Sequence, residues 1–276
     1  MRLVTVGCSG SFAGPASPAS SYLVQVPAAE AAAAGHEERD WSVVLDLGNG
    51  SLGALQRFVD PLDLDAVALS HLHPDHFVDV CGLYVYLRYH PARGSARTGV
   101  PSRLPVLGPS DTEARLDAAY GADPGDGLAH ELDVRTWEPG AAVTVGPLTL
   151  EPFRVFHPVE AYGVRVTGPS TLRPGERSVL AYTGDTDACD GVVELARDAD
   201  LLLSEAAFHE GRDDAVERGI HLTGRRAGEV ATAAGARRLV LTHLPAWNDP
   251  DRSRDEAREV YAGPVDVATT GAEFLL

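Results

Sequence analysis

Ser70-His71-Leu72-His73-Pro74-Asp75-His76 carries three histidines and an aspartate within six residues, in the pattern His-x-His-x-Asp-His. Ala66-Val67-Ala68-Leu69 precedes it and reads as a short buried strand. On an extended strand end, residues at i and i+2 share one face, so His71 and His73 can reach one metal ion together. Pro74 then bends the chain, which lets Asp75 and His76 face a second point. Imidazole and carboxylate donors suit zinc, with manganese or iron as options. A His-rich surface loop is the competing reading. It is disfavoured by the aspartate, the strand end and matching residues far downstream.

Those downstream residues all follow strands. His157 comes after Phe153 to Phe156, Asp185 after Val179 to Tyr182, and His243 after Leu239 to Thr242. Strand ends of an α/β sheet converge on one rim, so these three can meet the His71–His76 cluster. Asp46, at another strand end before a glycine turn, could orient a ligand histidine or cap a helix starting near Ser51. Gly7-Cys8-Ser9-Gly10-Ser11 is either a tight turn or a loop whose amides approach a ligand.

The 276 residues allow one large α/β domain spanning 1–276, and the 44% hydrophobic content leaves ample core. No apolar run approaches the roughly 20 residues that cross a bilayer, and Met1 enters a strand directly, so the expectation is a cytoplasmic protein without membrane association. Cys8, Cys81 and Cys189 form no Cys-x-x-Cys pair, which argues against a disulfide framework and a thiolate zinc site. The net charge is −17, and every one of the 23 basic residues is arginine, with no dense cluster among them. Nucleic acid is therefore not an expected partner. A small anionic substrate remains compatible, because metal ions dominate the field of such a site.

Strands are expected through residues 3–6, 20–26, 41–46 and 66–69, then 104–107, 131–137, 143–155 with a break at Gly146-Pro147, 162–166, 178–182, 199–204, 238–242 and 265–268. Helices are expected over 51–58, 77–90, 111–120, 191–197, 223–234 and 251–261, with Thr223 as an N-cap and Gly235 as a stop. Residues 27–40 read as a loop or hairpin tip, 121–127 as a loop, and 206–219 as a polar loop of the length that forms lids. Strand-rich runs followed by helices, twice over, indicate two mixed sheets packed face to face with helices outside, an αββα sandwich.

Ser-His-Leu-His-Pro-Asp-His, Phe-His-Pro, Tyr-Thr-Gly-Asp-Thr and Leu-Thr-His-Leu-Pro, in that order, resemble the metallo-β-lactamase superfamily over nearly the whole chain. The resemblance implies two divalent metal ions. His71, His73 and His157 would hold the first, and Asp75, His76 and His243 the second, with Asp185 and a water or hydroxide bridging them. Two close cations acidify a bridging water and neutralise phosphoryl oxygens. Leu-Ser-Glu-Ala-Ala-Phe, then His221-Leu-Thr, is similar to the tRNA 3′-processing nucleases, which cleave phosphodiesters. That likeness implies that His221, held by Glu205, is a catalytic acid for the leaving oxygen. Thr223 would hold a phosphate oxygen or serve only as a helix cap.

The long basic arm with which the tRNA enzymes grip RNA is not found in the sequence. Val6 to Ser11, Gly53 to Arg57, Arg88 to Pro91 and Gly108 to Thr112 look instead like atypical class II cyclic-nucleotide phosphodiesterases of actinobacteria. This likeness implies hydrolysis of 3′,5′-cyclic AMP, and of related cyclic nucleotides, to the 5′-monophosphate, with Asp75 positioning the attacking hydroxide while ligating metal. Aromatic side chains that could stack on the base are Tyr84, Tyr86, Tyr162, Phe208 and Trp247, with Phe208 foremost because it is close to Glu205. The alternatives are a tRNA 3′-endonuclease, an arylsulfatase or lactonase-like hydrolase, and a non-catalytic metal-binding scaffold subunit. Members of this branch are often dimers, so a homodimer is an expectation by analogy.

Overall fold

The computed structural model describes residues 1–122 and 127–276. Residues 123–126, within the loop expected at 121–127, lie outside the described part.

The first half runs β1 (Arg2–Gly7), β2 (Ser21–Val26), α1 (Ala28–Ala33), β3 (Trp41–Leu45), α2 (Ser51–Leu55), β4 (Ala66–Ala68), α3 (Pro74–Phe77), α4 (Val80–Tyr89), α5 (Ser95–Thr98), β5 (Leu104–Gly108), α6 (Thr112–Tyr120) and β6 (Leu132–Thr136). The second runs β7 (Val143–Val145), β8 (Leu148–Arg154), β9 (Tyr162–Pro169), β10 (Arg177–Tyr182), α7 (Asp190–Ala196), β11 (Leu201–Glu205), α8 (Gly224–Ala234), β12 (Leu239–Thr242), α9 (Pro250–Arg258), β13 (Val265–Val267) and β14 (Glu273–Leu275).

Among the described residues these strands form two seven-stranded sheets, ordered β14-β1-β2-β3-β4-β5-β6 and β13-β12-β11-β10-β9-β8-β7. Starting from β14 in one sheet and β7 in the other, both have three antiparallel pairings followed by three parallel ones. Alternation along the strands explains the layers. Tyr22, Val24 and Val26 of β2, and Leu180 and Tyr182 of β10, enter the core between the sheets. Their neighbour Leu23 faces the layer under α2, α4 and α6, and Ala181 faces the layer under α7, α8 and α9. Each central strand is thus apolar on both faces, as a sheet covered on both sides requires. The result is the αββα sandwich.

Several elements depart from the sequence expectation, among them α5, a single helical turn where no helix was expected. The 27–40 segment holds α1, because Ala-Ala-Glu-Ala-Ala-Ala has high helix propensity and Glu30 is anchored by a 2.7 Å hydrogen bond from Thr171 Oγ1. The helix expected over 77–90 is present as α4, starting at Val80, and a separate turn, α3, precedes it at Pro74–Phe77. Leu47 N–H donates to His76 O at 2.7 Å and Asp79 N–H to Leu47 O at 3.1 Å, which diverts bonds that a continuous helix would use. The C-terminal segment adds β14, which pairs antiparallel with β1.

Candidate metal centre

The C-terminal ends of β3, β4, β8, β10, β11 and β12 share one rim, and each delivers part of a polar cluster. Two groups of side chains bring ligand atoms within 4.8 Å of one another: His71, His73, His157 and Asp185, and Asp75, His76, Asp185 and His243. Asp185 belongs to both. A third group, Asp185, Glu205 and His221, continues from it.

Hydrogen bonds behind each ring fix which nitrogen enters the cluster. Ile220 O, which can only accept, receives His157 Nδ1–H at 2.9 Å, so His157 Nε2 keeps a lone pair. Ser70 gives its one hydroxyl proton to Asp46 Oδ2 at 2.7 Å, so it accepts from His71 Nδ1 at 3.1 Å and leaves His71 Nε2 bare. Both bare nitrogens face His73 Nδ1, at 3.0 and 3.2 Å. Three imidazoles cannot satisfy one another in this arrangement, whereas a cation among them would accept all three lone pairs.

The other half has the same character. His76 Nδ1 contacts Asp46 Oδ2 at 2.7 Å and His243 Nδ1 contacts Ser20 Oγ at 2.9 Å. Their Nε2 atoms each stand 3.3 Å from an Asp185 oxygen. His76 Nε2, His243 Nε2 and Asp185 Oδ1 are buried without a hydrogen-bond partner. Orphaned buried polar atoms are costly, and here they all point to one place. The residues therefore fit a bound metal pair. Asp46 orients His76, while α2 begins after Gly50 with no side-chain cap, so the capping reading of Asp46 falls away. Tyr182 Oη and Ser70 also donate to Asp46. Asp46 and His243 both take positive φ, 58° and 57°, a strained placement of the kind that clusters at functional sites. Close approach explains two glycines: a Cβ on Gly48 would stand 1.9 Å from Asp75 O, and one on Gly10 would stand 2.3 Å from His243 O.

Electrostatics match a ligand set. Burial lowers the pKa of His71 well below the ordinary value and also lowers His73, His157 and His243, so these rings stay neutral. Burial alone would raise Asp75, but the His76 hydrogen bond together with the His76 and His243 charges more than offsets it and brings the carboxyl to about 2. Asp185 is likewise held well below the carboxylate range by His243, His76 and His71 against its burial. His76 is the exception. Burial lowers it, but Asp185 and Asp46 raise it well above neutral, so it must shed a proton to act as a ligand.

His221 stands beside this cluster, its Nδ1 2.9 Å from Glu205 Oε1. Burial would lower its pKa, yet the Glu205 carboxylate and then Asp185 raise it to about 9. Thr223, considered for a phosphate contact, has its hydroxyl engaged: it accepts from Arg226 N–H at 3.1 Å and donates to Glu210. It caps α8. Phe208 packs edge-on against His221 with ring centroids 5.0 Å apart. A cavity of about 300 Å³ opens there, lined by Ser11, Phe208, Arg212, His221 and Trp247 among others. Trp247 is 65% exposed and packs against Phe12 at 5.1 Å. Tyr84 and Tyr162 are buried in the core instead, and Tyr86 lies on α4 against His90. Ser70 and Tyr182, which hold the ligand set from behind, lie inside the sequence motifs without a role assigned to them there, and Ser20 lies in none; Asp46 alone had a signal for this role, its strand-end position.

An αββα sandwich with convergent histidines and aspartates on the strand-end rim is the architecture of a metallo-hydrolase. The β-lactamase superfamily domain model matches residues 43–244, and the chain belongs to that superfamily, with the metallo-β-lactamase fold. It is 42% identical over 277 residues to the uncharacterized protein Rv1339 of Mycobacterium tuberculosis, covering 99% of this chain and 92% of that one. The probable metallo-hydrolase YhfI of Bacillus subtilis is 32% identical, with 98% of each chain covered. The crystal structure of YhfI superposes with a TM-score of 0.79, covering 99% of this chain and 98% of that one. Ribonuclease Z of Myxococcus xanthus is 30% identical, over 83% of this chain and 86% of its own. Among the described residues no helix is long and apolar enough to cross a membrane.

Proposed function

We propose that the chain is a dimetal phosphodiesterase that hydrolyses 3′,5′-cyclic nucleotides, cyclic AMP foremost, to 5′-monophosphates. The observation that carries this reading is the His221–Glu205 pair beside the shared carboxylate Asp185, at the mouth of a small aromatic-walled cavity.

His71, His73 and His157 would hold one ion and Asp75, His76 and His243 the other, with Asp185 between them. When bound, such a pair, zinc or alternatively manganese or iron, supplies Lewis-acid stabilisation of phosphoryl oxygens and acidification of water. Asp75 stays ionised and orients the attacking water for in-line addition to phosphorus. The P–O3′ bond breaks as the new P–O bond forms. Glu205 accepts a hydrogen bond from His221 Nδ1–H and so fixes the ring with Nε2–H available, and His221 passes the Nε2 proton to the departing 3′ oxygen. The attacking water loses its proton to solvent, and His221, left neutral, takes a proton back from solvent before the next turnover.

Size and charge support this substrate class. A cavity of about 300 Å³ lies at the small end of the roughly 300–1,000 Å³ typical of ligand sites. Phe208 and Trp247 offer flat faces to a nucleobase. The net charge of −17 opposes an RNA backbone. The Ribonuclease Z relative supports phosphodiester chemistry and sets the rival substrate.

Purified protein loaded with zinc or manganese should convert cyclic AMP to 5′-AMP and leave a 3′-extended tRNA precursor uncut. The reverse result would replace the cyclic-nucleotide reading with a tRNA 3′-endonuclease. Hydrolysis of neither, beside turnover of an aryl sulfate or lactone, would move the assignment to another hydrolase of the fold. Metal binding without turnover of any of these substrates would indicate a non-catalytic scaffold.

A further inference from the structure

Asp187 lies two residues past Asp185, 1% exposed, and belongs to none of the ligand groups. Its carboxylate is surrounded by donors. Arg218 approaches with two nitrogens, Nη2 reaching Oδ1 at 2.8 Å and Nε reaching Oδ2. Gly219 N–H donates to Oδ2 at 2.9 Å, Ala188 N–H to Oδ1 at 2.7 Å and Arg226 Nη1 to Oδ1 at 3.2 Å. Its own amide donates to Phe156 O at 2.8 Å.

These partners sit next to three functional side chains. Phe156 immediately precedes His157. Residues 218–219 lead into Ile220, whose carbonyl fixes the His157 ring, and then into His221. Arg226 also donates from Nη1 to His221 O at 3.3 Å. Gly219 packs so closely on the Phe156 ring that a Cβ there would stand 2.5 Å from Cζ. A single buried carboxylate thus ties the strand end carrying His157 to the exit of the 206–219 loop carrying His221.

We infer that Asp187 is a positioning residue that clamps the 218–221 segment against Phe156 and so sets the orientation of both His157 and His221. The inference rests on the proposed roles of those two histidines. An ion pair serving stability alone could sit anywhere on this surface. This one is buried on the acid side, forked on the base side and placed between two groups whose ring orientation decides the site.

The test uses Asp187→Asn and Arg218→Met, the second because Arg218 is 60% exposed and its loss leaves the core intact. Three measurements are made: zinc stoichiometry and affinity by equilibrium dialysis, amide exchange of residues 218–221 in zinc-free protein, and kcat and KM for cyclic AMP. Both variants should exchange 218–221 at least tenfold faster, and bind the weaker of two zinc ions about 10–100-fold less tightly. Both should lose kcat with little change in KM. Arg218→Lys keeps the charge without the fork and should recover only part of the loss. If Asp187→Asn fails to fold, Arg218→Met decides alone. Unchanged exchange and unchanged zinc affinity in Arg218→Met would overturn the clamp. Wild-type protein that binds no zinc would defeat the proposed ligand roles instead, while the exchange measurement, which needs no metal, still decides whether the clamp exists.

Discussion

His221 Nδ1 and Glu205 Oε1 are 2.9 Å apart, and the same carboxylate oxygen accepts the amide proton of Thr186, the residue after Asp185, at 2.9 Å. Ala207 N–H donates to the other oxygen at 3.1 Å. The carboxylate is therefore fixed from the Asp185 loop and from its own strand before it meets His221. His221→Ala should retain zinc content and lose about 10²–10⁴-fold in kcat. Glu205→Gln can present an N–H to Nδ1 and favour the wrong tautomer, so it too should lower kcat, by about 10–100-fold or more, with metal content unchanged. Zinc analysis beside steady-state kinetics checks both. Full activity of His221→Ala on cyclic AMP would remove the leaving-group role.

Asp46 supports His76 from behind, and its φ of 58° restricts what can replace it. Asparagine tolerates the left-handed region better than most residues. Asp46→Asn should therefore fold, but it loses the charge that accepts from His76, Ser70 and Tyr182. Zinc affinity should fall by about 10–100-fold. A competition titration against a chromophoric chelator reads this directly, and an unaltered affinity would separate Asp46 from the metal centre.

Metal removal should cost stability as well as activity. Without cations, Asp185 Oδ1, His76 Nε2 and His243 Nε2 stay buried with their hydrogen-bonding needs unmet. Zinc held at about 100 times its dissociation constant contributes about 2.7 kcal/mol to the folded state, or about 5–10 °C in Tm for a chain of this size. Melting with and without a chelator measures the difference, and His73→Ala, one ligand short, should show a smaller one.

Much of this site was legible because its ligands are polar residues at strand ends. His71 to His76, His157, Asp185 and His243 follow strands whose apolar runs are plain, and parallel ordering then forces the ends together. The supports were not legible. Ser20 meets His243 across 223 positions, and Tyr182 reaches Asp46 across 136. A serine or tyrosine at a strand end has many uses, and only the packing of the two sheets selects this one. Thr223 shows the opposite limit. Its position before a helix allowed both a phosphate contact and a cap, and the bond to Arg226 N–H, with Glu210 taking the hydroxyl proton, decided for the cap. The fold was misjudged where local propensity overrode pattern, as in α1, and at α3, a turn that docking on Leu47 keeps separate from α4.

A pH effect on stability should come from Glu131, far from the metal centre. Its side chain is buried; burial raises its pKa, but bonds from Ser102 N–H, Ser95 Oγ and His130 more than offset this and leave it below the usual glutamate value. Arg88 also faces it at 3.7 Å. A depressed folded-state pKa means that the unfolded chain binds the proton more readily. The contribution is fully present above the unfolded value of about 4.5 and is lost as pH falls through the lower folded value. Glu131→Gln should thus melt below wild type at neutral pH, and the gap should narrow under about pH 4. A gap constant across that range would show that the carboxylate charge contributes nothing.

Trp247 offers the cleanest test of how the substrate is held. Its side chain is 65% exposed and touches Phe12 at the lip of the cavity that contains Phe208 and His221. Removing it should leave the fold and the zinc content intact, since most of its surface is exposed and it is not part of the hydrophobic core. Stacking of a base on an aromatic ring contributes about 1–3 kcal/mol, so Trp247→Ala should raise KM for cyclic AMP by about 5–150-fold and leave kcat nearly unchanged. Phe208→Ala should raise KM and lower kcat together, because Phe208 also packs against the His221 ring. A cyclic ribose phosphate without a base should be turned over equally by wild type and Trp247→Ala. If that base-free substrate loses as much as cyclic AMP does, Trp247 shapes the loop rather than the base site; if neither loses anything, the base is bound elsewhere on the rim.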